Sequence, residues 1–259
     1  MKIVCIIPAR LASTRLPNKP LLEIAGLPLI LHVYNNIEKI SIIDEVIVAT
    51  DDKKIVEVVN SVGGNAMLTP KELSSGTDRV AFACQGKEAD LIINVQGDEP
   101  FIKSEMIETG IKPFLSDDNV KMGSLKTRIK SAKELFDPNV VKVVTDKNDN
   151  ALYFSRAPIP YDRDKFAGVD DPSKLNLGLD NNAHYKHLGI YFFRPDFLNT
   201  FSRMPASDLE KKEKLEQLRV LENGHKIVVP TTEHDSIGVD TKPDLLKVRN
   251  IFEDMGSRI

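Results

Sequence analysis

The sequence predicts an α/β fold, a mostly parallel, twisted sheet flanked by helices and Rossmann-like in its winding. In the first half, short apolar runs alternate with longer segments of helical period, the pattern of successive βαβ units. Those runs end in polar loops, PARLASTR, ATDD and VQGDEP, which such sheets gather at the carboxyl ends of their strands to line one ligand crevice. The length of 259 residues is enough for one large domain with a full core, and the expected organisation is a single domain over residues 1–259 with an excursion at about 150–225.

Taken in order, KIVCIIPA is a strand, PLILHVYNNIEKI a helix and EVIVATDD a strand that ends in acids. KKIVEVVNSV and TDRVAFACQGK follow as helices, and DLIINVQGDEP as a further strand. The second half is less regular. VKVVTDKNDNALYFSRAPIPYDRD reads as two strands around an Asp-Asn turn, followed by a loop stiffened by proline. From Lys165 to Asn182 the chain is rich in Gly, Asp, Asn and Pro, and a long, mobile excursion is expected there. HLGIYFFR returns as a strand. LEKKEKLEQLRVLENG, with Leu209, Leu215, Leu218 and Leu221 and a closing glycine, reads as one helix. IGVDTKPDLLKVRNIF ends the domain as a strand leading into a helix with Thr241 as its N-cap.

Composition excludes several classes. Apolar residues at 41% and charged residues at 28% fit a globular chain and argue against disorder and a membrane span. A net charge of -3 offers no bulk attraction for nucleic acid, so a phosphate partner must be met by a local cluster. Cys5 and Cys84 form no CxxC pair and no disulfide framework, which suits core positions and a reducing cytoplasm.

The local cluster is IIPARLASTRLPNKP, where a strand runs into Arg10, Arg15 and Lys19. A strand-to-helix loop of this kind can set cations and backbone N–H groups around a polyphosphate, or it can be a solvated basic loop. Neither GxxxxGK[ST] nor GxGxxG is present, so P-loop and dinucleotide readings lose ground. In QGDEP, Asp98 is a lone carboxylate at a strand end, the kind of ligand Mg²⁺ takes while keeping several waters. Asp240, in IGVDT, is a second metal candidate, or an acid placed at the start of the last helix by the dipole. Ser75, Gly76 and Thr77 offer hydroxyl and close backbone contacts to a base or ribose. Arg79 is either a ligand clamp or a helix-surface charge. Arg156, between a strand and a proline loop, suits a rigid fork facing a carboxylate. His187 taken singly is a core or a ligand histidine, and Glu216 and Gln217 taken singly are a solvated helix face.

Together these stretches resemble the 3-deoxy-D-manno-octulosonate (Kdo) cytidylyltransferases, or CMP-Kdo synthetases. The resemblance is carried by IPARLASTRLPNKPL, VIVATDD, SGTDR, NVQGDEP, ALYFSRAPIPYDRD, HLGIY, KLEQLR and GVDTKPDL, in the family's order, from residue 6 to about 245. It implies a nucleotide-diphospho-sugar transferase-like fold, a homodimer, a cytoplasmic enzyme of lipopolysaccharide biosynthesis, and an excursion that carries sugar-acid and dimer contacts. The implied reaction is CTP plus Kdo giving CMP-Kdo and pyrophosphate, with Mg²⁺ as cofactor. By the same resemblance Arg10, Arg15, Lys19 and Asp98 are catalytic. Pro8, Ala9, Arg10, Thr50, Asp51, Ser75, Gly76, Thr77, Arg79 and Gln96 surround the nucleotide. Arg156, His187, Tyr191, Glu216 and Gln217 hold the sugar acid, and Asp98 and Asp240 hold the metal.

Two departures stand out. The family has glycine where this chain has Asn18, the residue that best tolerates a left-handed backbone after glycine, so the loop is expected to survive. The segment from Lys165 to Asn182 is longer than expected and takes no assigned role. Rival readings are the same chemistry on 8-amino-3,8-dideoxy-Kdo or a sialic acid, and a non-catalytic nucleotide-binding module.

Overall fold

In a computed structural model of the chain, the described residues are 1–12, 15–167, 175 and 183–256. Among the described residues the strands run in the order β1 Ile3–Ala9, β2 Glu23–Ile24, β3 Leu27–Pro28, β4 Glu45–Thr50, β5 Ala66–Leu68, β6 Leu91–Asn94, β7 Met122–Arg128, β8 Lys142–Thr145, β9 Ala151–Ser155 and β10 Tyr185–Phe193. The α-helices are α1 Leu29–Glu38, α2 Lys53–Ser61, α3 Gly76–Cys84, α4 Ser104–Ser116, α5 Ala132–Phe136, α6 Arg163–Phe166, α7 Pro195–Arg203, α8 Asp208–Glu213, α9 Leu218–Glu222 and α10 Lys242–Gly256. These elements fall into two compact units. The first holds Met1–Glu108, Ile190–Ser202 and Ser236–Ile259; the second holds Thr109–Gly189 and Arg203–Asp235. The expected excursion at about 150–225 overlaps both segments of the second unit and the stretch Ile190–Ser202 of the first.

In the first unit the strand order is β5, β4, β1, β6 and the end of β10. β1 pairs in parallel with β4 and with β6, β4 pairs in parallel with β5, and β10 runs antiparallel to β6. Every residue of β1 is buried, as a central strand covered on both faces requires. Each such Ile or Val side chain contributes about 1.5–3 kcal/mol of apolar burial. The winding runs from β1 outward to β4 and β5 and then returns to β6 on the other side of β1. Right-handed crossovers therefore place α3 on the face opposite α1 and α2. The winding reverses at β1, so the gap between the carboxyl ends of β1 and β6 is where a ligand belongs.

A second cluster fixes the loop after β1. Leu16 is buried with Ile24, Leu29, Val239, Leu245 and Val248, so the segment between Arg15 and Lys19 is anchored beneath α10. Asn18 has φ 56 and ψ 26, the left-handed conformation expected of it, and Leu21 N–H donates to its carbonyl at 2.9 Å. Cys5 and Cys84 are free thiols in the core, and burial raises the pKa of both. No described helix is long and apolar enough to cross a membrane.

In the second unit β8 and β9 form the expected antiparallel pair, and the start of β10 pairs with β8. The Asp-Asn turn between β8 and β9 has Asp149 at φ 60. Residues 209–224 are a correction: the single helix expected there is two, α8 and α9. Lys214 takes φ 55 and ends α8, which turns the chain so that Leu215 and Leu218 are both buried while the capping box of Ser207 and Glu210 closes the other end. Ile237–Asp240 is a second correction, being an extended stretch rather than a strand, held by a Val239 N–H to Asp98 carbonyl bond of 2.9 Å. Thr241 caps α10 as expected, with reciprocal bonds between it and Asp244. Of the excursion expected from Lys165 to Asn182, residues 168–174 and 176–182 lie outside the described residues.

Lys142 on β8 is fully buried, its Nζ donating to the carbonyls of Asp137 at 2.9 Å and Val140 at 2.6 Å. Burial lowers its pKa from 10.5 to about 8, against the opposing pull of Asp137. The folded state thus binds this proton less tightly than the unfolded chain does. Stability should rise with pH between about 8 and 10.5, where the unfolded lysine is still charged and the folded one is not. Denaturant unfolding of wild type and Lys142→Met across that window is the check. The wild-type advantage should grow with pH, and a constant difference would count against a desolvated amine.

Candidate active site

The first unit carries a cavity of about 390 Å³ at the carboxyl ends of β1 and β6. Three loops build it. Pro8 and Ala9 come from the end of β1 and Arg10, Ala12, Arg15, Lys19 and Pro20 from the loop after it, Ser74, Ser75 and Gly76 from the start of α3, and Gln96, Gly97 and Asp98 from the loop after β6; Asp240 completes the wall. Its polar character comes from three cations, two carboxylates and the amino end of a nine-residue helix, whose N–H groups and dipole favour an anion.

Lys19 is the centre of this charge. Its Nζ donates to Asp98 Oδ2 and, at 2.9 Å, to Asp240 Oδ1. Burial alone would lower the pKa of this ammonium, but Asp98 and then Asp240 outweigh that and hold it above its ordinary value. Arg15 Nη2 reaches the same Asp240 Oδ1 at 3.3 Å. Arg10 donates through Nη2 to the Leu73 carbonyl, tying the loop after β1 to the approach to α3.

Two devices hold the carboxylates in place. Gly97 passes so close to β1 that an added Cβ would lie 3.0 Å from the Pro8 carbonyl oxygen, so a larger residue would have to push the exits of β1 and β6 apart. Glu99 accepts a hydrogen bond from Ser236 Oγ, and with the Val239 to Asp98 bond this docks the stretch before α10 against the loop after β6. Glu99 and Ser236 carry no signal of this in the sequence.

The α3 start is a capping box. Ser75 Oγ accepts from Asp78 N–H at 3.0 Å and Asp78 Oδ2 accepts from Ser75 N–H at 3.0 Å. Gly76 faces Pro8 and Gln96, and Gln96 Nε2 donates to Asn94 Oδ1 at 3.1 Å. Thr77 is buried and accepts from Asn94 Nδ2 at 3.3 Å.

The ATDD loop, expected to share the crevice, is not among the residues that line this cavity. Thr50 is fully buried, and its carbonyl accepts from the Thr69 backbone at 2.7 Å and the Thr69 hydroxyl at 2.9 Å. Arg79 is not a surface charge either. It is wholly buried, with Nη2 on Asp51 Oδ2 at 3.0 Å and Nη1 on Thr69 Oγ1. Breaking such a pair leaves a buried charge uncompensated, at a cost of about 3–5 kcal/mol.

The candidates for the sugar acid lie in both units. Tyr191, in the first, is buried on β10 opposite Asn94 of β6. In the second, Arg156 follows β9, with Nε on the Glu213 carbonyl at 2.7 Å and Nη1 on the Pro138 carbonyl at 2.8 Å. The His187 ring is hydrogen-bonded through Nε2 to Ser124 Oγ at 2.7 Å and packs edge-on to Phe154. Burial pushes its pKa down to about 3, so it is a neutral imidazole at ordinary pH. Glu216 and Gln217 sit in the link between α8 and α9, Gln217 buried and Glu216 half-buried, rather than on a solvated helix face.

Comparison with known proteins identifies the family. The cytidylyltransferase family model matches residues 4–227. The chain is 51% identical over 248 residues to the 3-deoxy-manno-octulosonate cytidylyltransferase of Geobacter metallireducens, covering 96% of each chain. It is 48% identical over 258 residues to that of Pelobacter propionicus, covering 100% of each. A solved CMP:2-keto-3-deoxy-manno-octonic acid synthetase complexed with CTP has 39% identity and a TM-score of 0.88, over 98% of this chain and 100% of that one. The 4-diphosphocytidyl-2C-methyl-D-erythritol synthase of Anaerococcus prevotii, at 15% identity and a TM-score of 0.59, shares the fold. The parallel sheet wound about β1, the cationic cavity at its edge and these full-length likenesses place the chain in the 3-deoxy-manno-octulosonate cytidylyltransferase family.

Proposed function

We propose that the protein transfers CMP from CTP to Kdo, releasing pyrophosphate, as a cytoplasmic homodimer that serves lipopolysaccharide biosynthesis. The observation that carries this reading is the meeting of Lys19, Asp98 and Asp240 at the edge of a cavity that Arg10 and Arg15 also line. A nucleoside triphosphate carries about four negative charges near neutral pH, and an anionic sugar acid approaching its α-phosphate meets repulsion that such a cluster cancels. In this reading the anomeric 2-hydroxyl of Kdo attacks the α-phosphorus in line, and the bond to pyrophosphate breaks as the new P–O bond forms. Arg10, Arg15 and Lys19 take the charge that develops on the phosphates.

The donor set also fits a divalent cation. Asp98 and Asp240 bring two carboxylates to one cation position, and no cluster of three or more His, Cys, Asp or Glu exists among the described residues. Mg²⁺ takes one or two carboxylates and fills its remaining positions with water and phosphate oxygen. We assign Asp98 and Asp240 to hold it; once bound it would neutralise phosphate charge and lower the pKa of a nearby hydroxyl. Pro8, Ala9, Ser75, Gly76 and Gln96 face the nucleotide, while Thr50, Asp51, Thr77 and Arg79 shape the wall behind it. Arg156, His187, Tyr191, Glu216 and Gln217 hold the sugar acid, with Arg156 on its carboxylate.

Pyrophosphate release with CTP and Mg²⁺, offering Kdo, 8-amino-Kdo and N-acetylneuraminate in parallel, tests the reaction. Release with Kdo that is lost in Asp98→Asn and on chelation of the metal is the expected result. Release with only one of the other sugar acids would keep the chemistry and move the substrate, and no release with any would return the protein to a nucleotide-binding module. Lys19→Met should lower kcat by about 10²–10³, the usual cost of removing one preorganised charge-stabilising group. A change in KM for CTP alone would assign Lys19 to ground-state binding instead.

A further inference from the structure

Glu213, the last residue of α8, lies in a run of lysines and glutamates with nothing in its spacing to mark it, yet several bonds of the second unit converge on it. Its Oε1 accepts from Ser155 Oγ at 2.6 Å and its Oε2 from Arg156 N–H at 2.9 Å. Its main-chain carbonyl accepts from Arg156 Nε at 2.7 Å. One glutamate thus holds both the backbone and the guanidinium of Arg156. Its successor Lys214 takes φ 55, which stops α8 and starts the link carrying Glu216 and Gln217. The other side of the guanidinium is fixed by the Pro138 carbonyl, in a turn that Lys142 secures through Asp137 and Val140.

We infer that Glu213 is a positioning residue for sugar-acid recognition, fixing the Arg156 fork and the α8–α9 link in one arrangement. This rests on the reading that Arg156, Glu216 and Gln217 hold the sugar acid. Nε and one N–H of Nη1 of Arg156 are committed to main-chain carbonyls, which leaves Nη2 and the second Nη1 hydrogen as the donors that meet the substrate carboxylate. A carboxylate at position 213 keeps those donors aimed before the sugar acid arrives, and a preorganised donor costs less to engage.

The test is steady-state pyrophosphate release with CTP and Kdo for Glu213→Ala, Glu213→Gln, Ser155→Ala and Arg156→Ala, with thermal unfolding of each. Glu213→Ala should raise KM for Kdo by about tenfold or more while KM for CTP stays within about twofold. Glu213→Gln, which keeps one acceptor and the carbonyl, should fall between wild type and Glu213→Ala. Ser155→Ala, which spares the fold if the alanine at 213 does not, should raise KM for Kdo by about two- to threefold. Glu213→Ala should raise KM for Kdo by a smaller factor in the Arg156→Ala background than in wild type, because the part of its effect that runs through Arg156 is already lost. An unchanged KM for Kdo in Glu213→Ala and Ser155→Ala beside a raised one in Arg156→Ala would overturn the inference alone. No effect of Arg156→Ala on KM for Kdo would overturn the sugar-acid reading and the inference with it. Equal loss towards both substrates in every Glu213 and Ser155 variant would make Glu213 a general structural residue and overturn it as well.

Discussion

One ammonium group organises the first unit. Lys19 Nζ lies between Asp98 and Asp240 and so ties together the exits of β1 and β6 and the stretch before α10. Exposed ion pairs contribute about 0–1 kcal/mol, and Asp240 is half-exposed, so the arrangement is a weak source of stability. Its effect is geometric. Without a cation between them, two carboxylates brought to one point repel each other, and the loops that carry them would separate.

The two ion-pair systems near the cavity differ in the use their environments allow. The Lys19 cluster borders the cavity and Asp240 is half-exposed, so its cation can exchange a carboxylate partner for phosphate oxygens. The Asp51 and Arg79 pair is closed, with the guanidinium buried and bonded also to Thr69. It fastens α3 to the end of β4 and thereby fixes the helix terminus that faces the cavity. A mobile charge set against a fixed frame is what a site needs if it is to bind a highly charged substrate and release a charged product.

The parts of this structure that could be read from the sequence are those whose physics is local. The apolar runs of β1, β4 and β6 and the helical period of α1 to α3 mark the parallel core, and the asparagine at 18 marks a left-handed turn. The cations and the carboxylates at 98 and 240 stand at strand and helix ends where chemistry collects. What could not be read depends on partners distant in sequence. Nothing around Thr50 or Arg79 tells that they face inward, because burial is decided by Thr69 and Asp51 packing against them. The break at Lys214 has no glycine or proline to announce it, since tertiary burial of Leu215 and Leu218 overrides the helical preference of the run. The roles of Glu99 and Glu213 rest on bonds to residues distant in sequence, which leave no period.

The distance along the chain between the members of the Lys19 cluster bears on how the protein is made. Asp240 lies 221 residues beyond Lys19, whereas Asp98 lies only 79 beyond it. Synthesis proceeds from the amino end at about 5–20 residues per second, so β1, β4 and β6 can assemble around Lys19 and Asp98 well before Asp240 leaves the ribosome. A chain interrupted short of α10 would keep a sheet and a basic loop but lack one of the two acids. Completion of the charge cluster therefore waits until Asp240 has been synthesised, and products that stop short of it are left unable to assemble the site.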